Sequence, residues 1–167
     1  MSTHIRSAKI DDAGRLASVH RTCFEDAWSE DAFRRLLDSP GAIALVGCNT
    51  EPETESQAFI LVQVAADQCE ILSLGTTSPV RRKGLARALL IAAAKEAHRF
   101  GAHEMFLEVA DDNHAALALY ASAGFAVVGR RAKYYRRADK TVLDAMMLRA
   151  TLPLDYKLAR RPEAGIE

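Results

Sequence analysis

The chain has 167 residues, with 22 Lys plus Arg balanced by 22 Asp plus Glu and 49% hydrophobic residues. That length suits one domain with a packed core, and a net charge of zero excludes a global electrostatic pull toward nucleic acid. Three scattered cysteines (Cys23, Cys48 and Cys69) show neither CxxC spacing nor a companion histidine pattern, which argues against a disulfide framework or a zinc site.

No apolar run approaches the ~20 residues of a membrane span, and no apolar segment follows the N-terminal charges. The expectation is a soluble cytoplasmic protein that binds neither membrane nor nucleic acid. The five histidines (His4, His20, His98, His103 and His114) form no ligand spacing, so no metal is expected.

In chain order, residues 4–10 alternate and read as a strand. Asp11 and Asp12 then offer an N-cap and an acidic first turn for a helix carrying Leu16, Val19 and Phe24. A second helix is expected from Ser29, with Phe33, Leu36 and Leu37 on one face and Pro40-Gly41 ending it. Residues 42–46 and 58–64 read as strands on either side of a polar loop at 49–56. Residues 70–76 are a further strand. From Lys83 to Phe100 the apolar positions Leu85, Leu89, Ala93 and Ala97 recur every four residues, so an amphipathic helix is predicted there, closed by Gly101. Residues 105–109 are a strand, residues 113–120 a short helix, and 127–128 and 142–148 two closing strands. Meandering strands followed by strand–helix alternation predict an α/β (α+β) sandwich around one mixed sheet, formed by a single domain over residues 1–150. Residues 151–167, rich in basic residues and prolines, are expected to be a flexible tail.

The segment Pro79-Val80-Arg81-Arg82-Lys83-Gly84-Leu85-Ala86-Arg87, where a strand runs into a helix, carries the most chemical information. A helix start presents unpaired N–H groups and the positive end of the helix dipole, so anions settle there. Cations at that end are otherwise unfavourable. Arg81, Arg82, Lys83 and Arg87 therefore call for an external partner such as a polyphosphate, with a solvated basic face as the plainer alternative.

Arg81-x-x-Gly84-x-Ala86 resembles the (Arg/Gln)-x-x-Gly-x-(Gly/Ala) signature of the GNAT superfamily of acetyl-CoA-dependent N-acetyltransferases. Downstream, residues 106–125, including Leu107-Glu108-Val109, Asn113, Tyr120 and Gly124-Phe125, resemble the second half of that superfamily's cofactor site. Within it, Ala27-Trp28-Ser29-Glu30 and Arg130-Arg131-Ala132-Lys133-Tyr134-Tyr135 are similar to segments of the ribosomal-protein-alanine N-acetyltransferases. Ala27, Ala86 and Ala110 stand where those sequences more often have Pro, Gly and Arg. The resemblance covers about residues 4–150. It implies a mostly antiparallel central sheet with helices on both faces, acetyl-CoA as co-substrate, and the N-terminal alanine of ribosomal protein bS18 as acceptor.

Roles then follow from the resemblance. Backbone N–H groups from Arg82 to Arg87, including those of Gly84, Leu85 and Ala86, would hold the pyrophosphate, with Arg81, Arg82, Lys83 and Arg87 as charge partners. Leu74, Gly75 and Thr76 would pair with the pantetheine arm and donate to the thioester oxygen. Glu108 would be the general base, partly desolvated within the apolar run Met105-Phe106-Leu107; the plainer reading is an outward-facing strand Glu. Tyr120 would be the general acid for the departing thiolate, or core. Asn113 would be an N-cap that also bonds the pantetheine. Trp28, Tyr134 and Tyr135 would line the peptide slot or simply pack. No cysteine lies in the motifs, so direct transfer in a ternary complex is expected. Two other functions stay open: acetylation of a small amine or a lysine side chain, and a non-catalytic acetyl-CoA-binding regulator.

Overall fold

The computed structural model describes residues 3–49 and 57–155. Most of the expected polar loop and the tail from residue 156 onward lie outside those residues. Seven strands form one sheet: β1 (His4–Ser7), β2 (Ala42–Cys48), β3 (Ala58–Ala65), β4 (Gln68–Thr76), β5 (Glu104–Ala110), β6 (Ala126–Arg136) and β7 (Val142–Thr151). Four helices accompany them: α1 (Ala13–Cys23), α2 (Glu30–Leu37), α3 (Leu85–Arg99) and α4 (His114–Ser122). The strand order is β1-β2-β3-β4-β5-β7-β6. Only β4 and β5 run parallel. The sheet is thus mixed and mostly antiparallel, as expected.

Alternation along the strands sends side chains to two different cores. Ile60 and Val62 of β3, Met105, Leu107 and Val109 of β5, and Leu148 of β7 join Leu85, Leu89, Ala93 and Tyr120 from α3 and α4. On the other face, Ala44, Val46, Phe59 and Leu61 join Leu16, Val19 and Phe33 from α1 and α2. That second helical layer covers β2 and β3. It leaves the same face of β5, β7 and β6 uncovered by any described helix.

The start of α2 follows the local sequence. The Ala32 N–H donates to Ser29 Oγ at 3.2 Å, so Ser29 caps α2 as its sequence predicts. Asp12 takes the N-cap position of α1 as expected, but it also ends a 3-10 turn at Ile10–Asp12 and its side chain caps no α1 N–H. Its carboxylate accepts from the Lys9 N–H at 2.8 Å and from both Arg6 guanidinium nitrogens. Arg6 first, helped by Lys9, holds the Asp12 carboxyl down at about 2. The Arg6 partner on β1 draws the carboxylate away from α1 because a two-pronged ion pair satisfies both of its oxygens at once.

His20 occupies the centre of the α1–α2 side. It is 2% exposed, stacks on Trp28 with centroids 4.8 Å apart, and contacts Phe24, Phe33 and Phe59. The Trp28 backbone N–H donates to His20 Nδ1 at 3.2 Å, which requires that nitrogen to be unprotonated. Burial pushes the imidazole below its ordinary value, against a weaker pull from Asp26. A group that loses basicity on folding adds stability at neutral pH and withdraws it as pH falls below its unfolded value near ~6.5. We therefore expect urea stability to drop between pH 7.5 and 5.5, and His20→Gln to flatten that slope. An identical slope in the variant would remove His20 from the linkage.

The end of β7 extends the core past the expected domain boundary. The Leu152 N–H donates to the His103 carbonyl at 2.8 Å, and Leu152 and Leu154 are both buried.

Candidate active site

The sheet splits in the middle. β4 and β5 pair only where Gln68, Cys69 and Glu70 meet Glu104, Met105 and Phe106. Beyond that point β4 stays with β3 through Thr76, and β5 stays with β7 through Ala110. A register shift opposite Leu61 and Val62 accompanies the divergence: Leu61 faces Ser73, Val62 faces Ile71, and Leu72 is the extra residue. Such a bulge increases local twist and bends its strand away. The edge of β4 from Ile71 to Thr76 therefore faces a gap rather than a neighbouring strand, which suits an extended chain laid along it.

Gly75 lies on this edge for a packing reason. A Cβ there would sit 2.9 Å from Phe59 Cε1 and 3.2 Å from Cys23 Sγ, so only glycine lets β4 lie this close to the end of α1. Leu74 is half-buried against the α3–α4 core. The Thr76 carbonyl accepts from Cys23 Sγ at 3.3 Å and from Arg81 Nε at 3.2 Å, which fixes the strand end.

The loop leaving β4 enters α3 through two left-handed residues, Arg82 (φ +62°) and Gly84 (φ +79°). A Cβ at Gly84 would meet nothing within 4 Å, so the space in front of this turn is open. The first intrahelical bond runs from the Ala88 N–H to the Gly84 carbonyl. Among the described residues, the consecutive N–H groups from Arg82 to Arg87 have no backbone acceptor. Helix α3 begins at Leu85, two residues later than its periodicity suggests, because glycine's αL geometry ends the loop. Leu85 itself is 1% exposed, so it offers the cradle its N–H and gives its side chain to the core.

The four cations separate. Arg82 and Lys83 are exposed and make no hydrogen bond or ion pair among the described residues. Arg81 is bound to Thr76. Arg87 is half-buried and donates to Ser122 Oγ at 3.2 Å, linking α3 to α4. A ring of free N–H groups with two unpaired cations and open space in front fits a diphosphate.

Asn113 caps α4 by accepting from the Ala116 N–H at 3.2 Å, which leaves its amide NH2 free. Tyr120 is 6% exposed and edge-on to Phe125, with centroids 5.4 Å apart. Burial pushes its phenol well above the usual tyrosine value. Its hydroxyl has no hydrogen-bond partner among the described residues, yet no sealed side-chain polar atom there is unsatisfied. The oxygen is therefore not sealed from solvent.

Glu108 projects from the opposite face, beside Met147 in the β5–β7 register. Its apolar surroundings are not its whole environment: Arg131 Nε lies 2.9 Å from Oε1, a counter-charge that the strand pattern alone did not indicate. Oε2 accepts no hydrogen bond from the described residues. Arg131 also lies over the Tyr134 ring at 5.5 Å, and Tyr134 meets Tyr135 edge-on at 5.1 Å. Burial, and then the nearby Glu108 charge, raise the Tyr135 phenol. Trp28 packs on His20 and Phe33.

Two contacts tie three loops together. The Ala138 N–H donates to Glu25 Oε2 at 3.3 Å, joining the α1–α2 loop to the β6–β7 hairpin. Arg137 forms a two-pronged pair with Asp112 after β5. Sequence reasoning missed Arg131, Arg137, Asp112 and Glu25 because their partners are 23 to 113 residues away. The run of charges from Arg130 to Arg137 was the available signal. Among the described residues no group of three His, Cys, Asp or Glu side chains could hold a metal ion. No helix there is long and apolar enough to cross a membrane.

Residues 14–125 match the model of the acetyltransferase (GNAT) family. N-alpha-acetyltransferase RimI of Mycobacterium tuberculosis is 36% identical over 129 residues, covering 75% of this chain and 79% of that protein. The [ribosomal protein bS18]-alanine N-acetyltransferase of Escherichia coli K12 is 37% identical over 82 residues, 49% of this chain. The match spans only 55% of that relative's length. In three dimensions, the crystal structure of the Escherichia coli ribosomal-protein-S18-alanine N-acetyltransferase superposes with a TM-score of 0.82 at 26% identity, covering 90% of this chain and 94% of that one. Arabidopsis thaliana NAA60 in complex with a bisubstrate analogue shares the fold, with a TM-score of 0.78 at 19% identity over 90% and 98% of the two chains.

Proposed function

The chain belongs to the acetyltransferase (GNAT) family, and on that premise we propose that it transfers an acetyl group from acetyl-CoA to the N-terminal amine of a protein beginning with alanine, ribosomal protein bS18. The observation that carries this reading is the split between β4 and β5. In this reading Tyr120, packed on the α3–α4 face, and Glu108, on the opposite face of β5, act on one bond from the two sides of that split.

In this reading the diphosphate of acetyl-CoA lies against the N–H groups of Arg82 to Arg87, with Arg82 and Lys83 neutralising it. When bound, the thioester supplies an electrophilic carbonyl with a thiol leaving group. The edge of β4 at Leu74–Thr76 orients it and offers an N–H to the carbonyl oxygen as negative charge collects there. Glu108 takes a proton from the attacking amine, directly through Oε2 or through one water, because an α-amine with a pKa near ~8 is mostly charged at neutral pH. The new C–N bond forms as the C–S bond breaks, and Tyr120 gives its phenolic proton to the departing sulfur. The free Asn113 NH2 faces a role in holding the pantetheine amides. The relatives named for bS18 support the acceptor assignment, and direct transfer needs no enzyme nucleophile at the split.

The test is acetylation, read by mass, of a bS18 N-terminal peptide against free polyamines and a peptide whose only amine is a lysine side chain. Acetyl addition to the alanine amine at a kcat/KM at least tenfold above the others is expected. Comparable acetylation of the free amines or the lysine replaces bS18 with a broader acceptor class. Binding of acetyl-CoA with no turnover of any amine would leave a regulator instead.

A further inference from the structure

A cavity of about 340 Å³ opens on the uncovered face of the sheet, beside Glu108 and away from the α3–α4 side. Sheet register explains its lining. Gln63, Glu70 and Phe106 are direct neighbours across β3, β4 and β5, and Glu108 and Met147 form the next row. Arg131 closes one wall. The floor is apolar, from Phe106 and Met147, and the charged groups on it are Glu70, Glu108 and Arg131.

These charges differ in what they already hold. Glu108 and Arg131 face each other at 2.9 Å. The adjacent Glu104 is taken by Arg149 and by the Gln68 amide. Glu70 is exposed and has no hydrogen bond or ion pair among the described residues. The cavity therefore presents one uncompensated negative charge next to the half-buried ring of Phe106. An aromatic face and a free carboxylate together suit a cation on an apolar stem.

We infer that this cavity binds the side chain of the residue following the acetylated one, and that Glu70 selects a cationic side chain, arginine or lysine, at that position. The inference rests on the N-terminal acetyltransferase reading. With the reacting amine at Glu108, the next residue lies roughly 3.3–3.6 Å further along the peptide. Glu70 neighbours Phe106, which is two residues from Glu108 along β5, roughly 6.6 Å. A long cationic side chain spans that interval, and a short polar one does not. An acidic side chain would face Glu70 without compensation.

Three peptides identical except for the second residue, Ala-Arg, Ala-Gln and Ala-Glu, provide the test, with acetylation rates measured on the full chain. The expected kcat/KM order is Arg above Gln above Glu, with roughly fivefold per step, the worth of one partly exposed charge pair. Glu70→Gln should bring the Arg and Gln peptides to within twofold, and Glu70→Lys should reverse the Arg–Glu order. The rate on Ala-Gln should stay within twofold in both variants, because Glu70 takes no part in the chemistry. Equal rates on all three peptides with the unaltered chain, or a preference that Glu70→Gln leaves intact, overturn the subsite alone. Acetylation of none of the three overturns the N-terminal acetyltransferase reading and the subsite with it.

Discussion

Glu108→Gln is expected to lower acetyl transfer by roughly 10²–10⁴-fold, the usual worth of a positioned general base, while acetyl-CoA affinity stays within twofold. The proposed diphosphate cradle at Arg82–Arg87 and the β4 edge lie on other elements, so the substitution leaves both untouched. The fold should tolerate it. Gln has the same shape, and Arg131, whose side chain is 52% exposed, can take water in place of its lost partner. The loss should fall on kcat, and it should shrink as pH rises and the amine deprotonates unaided near its own pKa of ~8. That pH-dependent recovery separates a proton acceptor from a residue that merely shapes the cavity. An unchanged kcat would take Glu108 out of the chemistry and leave its pair with Arg131 as a structural contact.

Tyr120→Phe is expected to cost about 10²-fold in kcat, the lower end of the range for a positioned acid. A thiol with a pKa near ~8.5 is already a fair leaving group, so the acid has less to supply than the base. Stability should change by less than about 0.5 kcal/mol, because the hydroxyl has no partner to lose among the described residues and the ring keeps its edge-on contact with Phe125. Burial raises the phenol above its ordinary value, so the proton it must donate stays in place throughout the working pH range. No alkaline fall in rate should therefore come from this group below about pH 10. A thioester with a more acidic thiol should need the proton less and narrow the gap between variant and parent. A gap that stays constant across leaving groups would assign Tyr120 to packing.

Much of this architecture is legible in the order of residues, for identifiable reasons. α3 and β5 announce themselves because both are amphipathic, with Leu85, Leu89 and Ala93 at helical spacing and Met105, Leu107 and Val109 at strand spacing. α2 is marked by the Ser29 cap. β6 is the clearest shortfall. Only Val127 and Val128 suggest a strand, yet it runs from Ala126 to Arg136. It is an edge strand with most of its side chains exposed, so no hydrophobic alternation is required of it. Pairing with β7 defines it instead.

The anion-favouring segment from Arg81 to Arg87 and the family of the chain are legible in residue order alone, because both depend on neighbours in the chain. A glycine with positive φ, a helix start and nearby cations all fall within seven residues, and local backbone chemistry is enough to read them. How those cations divide depends on the fold: Arg81 and Arg87 are bound internally, and Arg82 and Lys83 have no partner among the described residues. The tertiary structure also set the split between β4 and β5, the Arg131 counter-charge on Glu108, and the free Glu70 beside Phe106. Each of these is a relation across strands, fixed by register and by a bulge at Leu72. Register is a property of the whole sheet, since strands with the same pattern can pair in several alignments until the two cores select one.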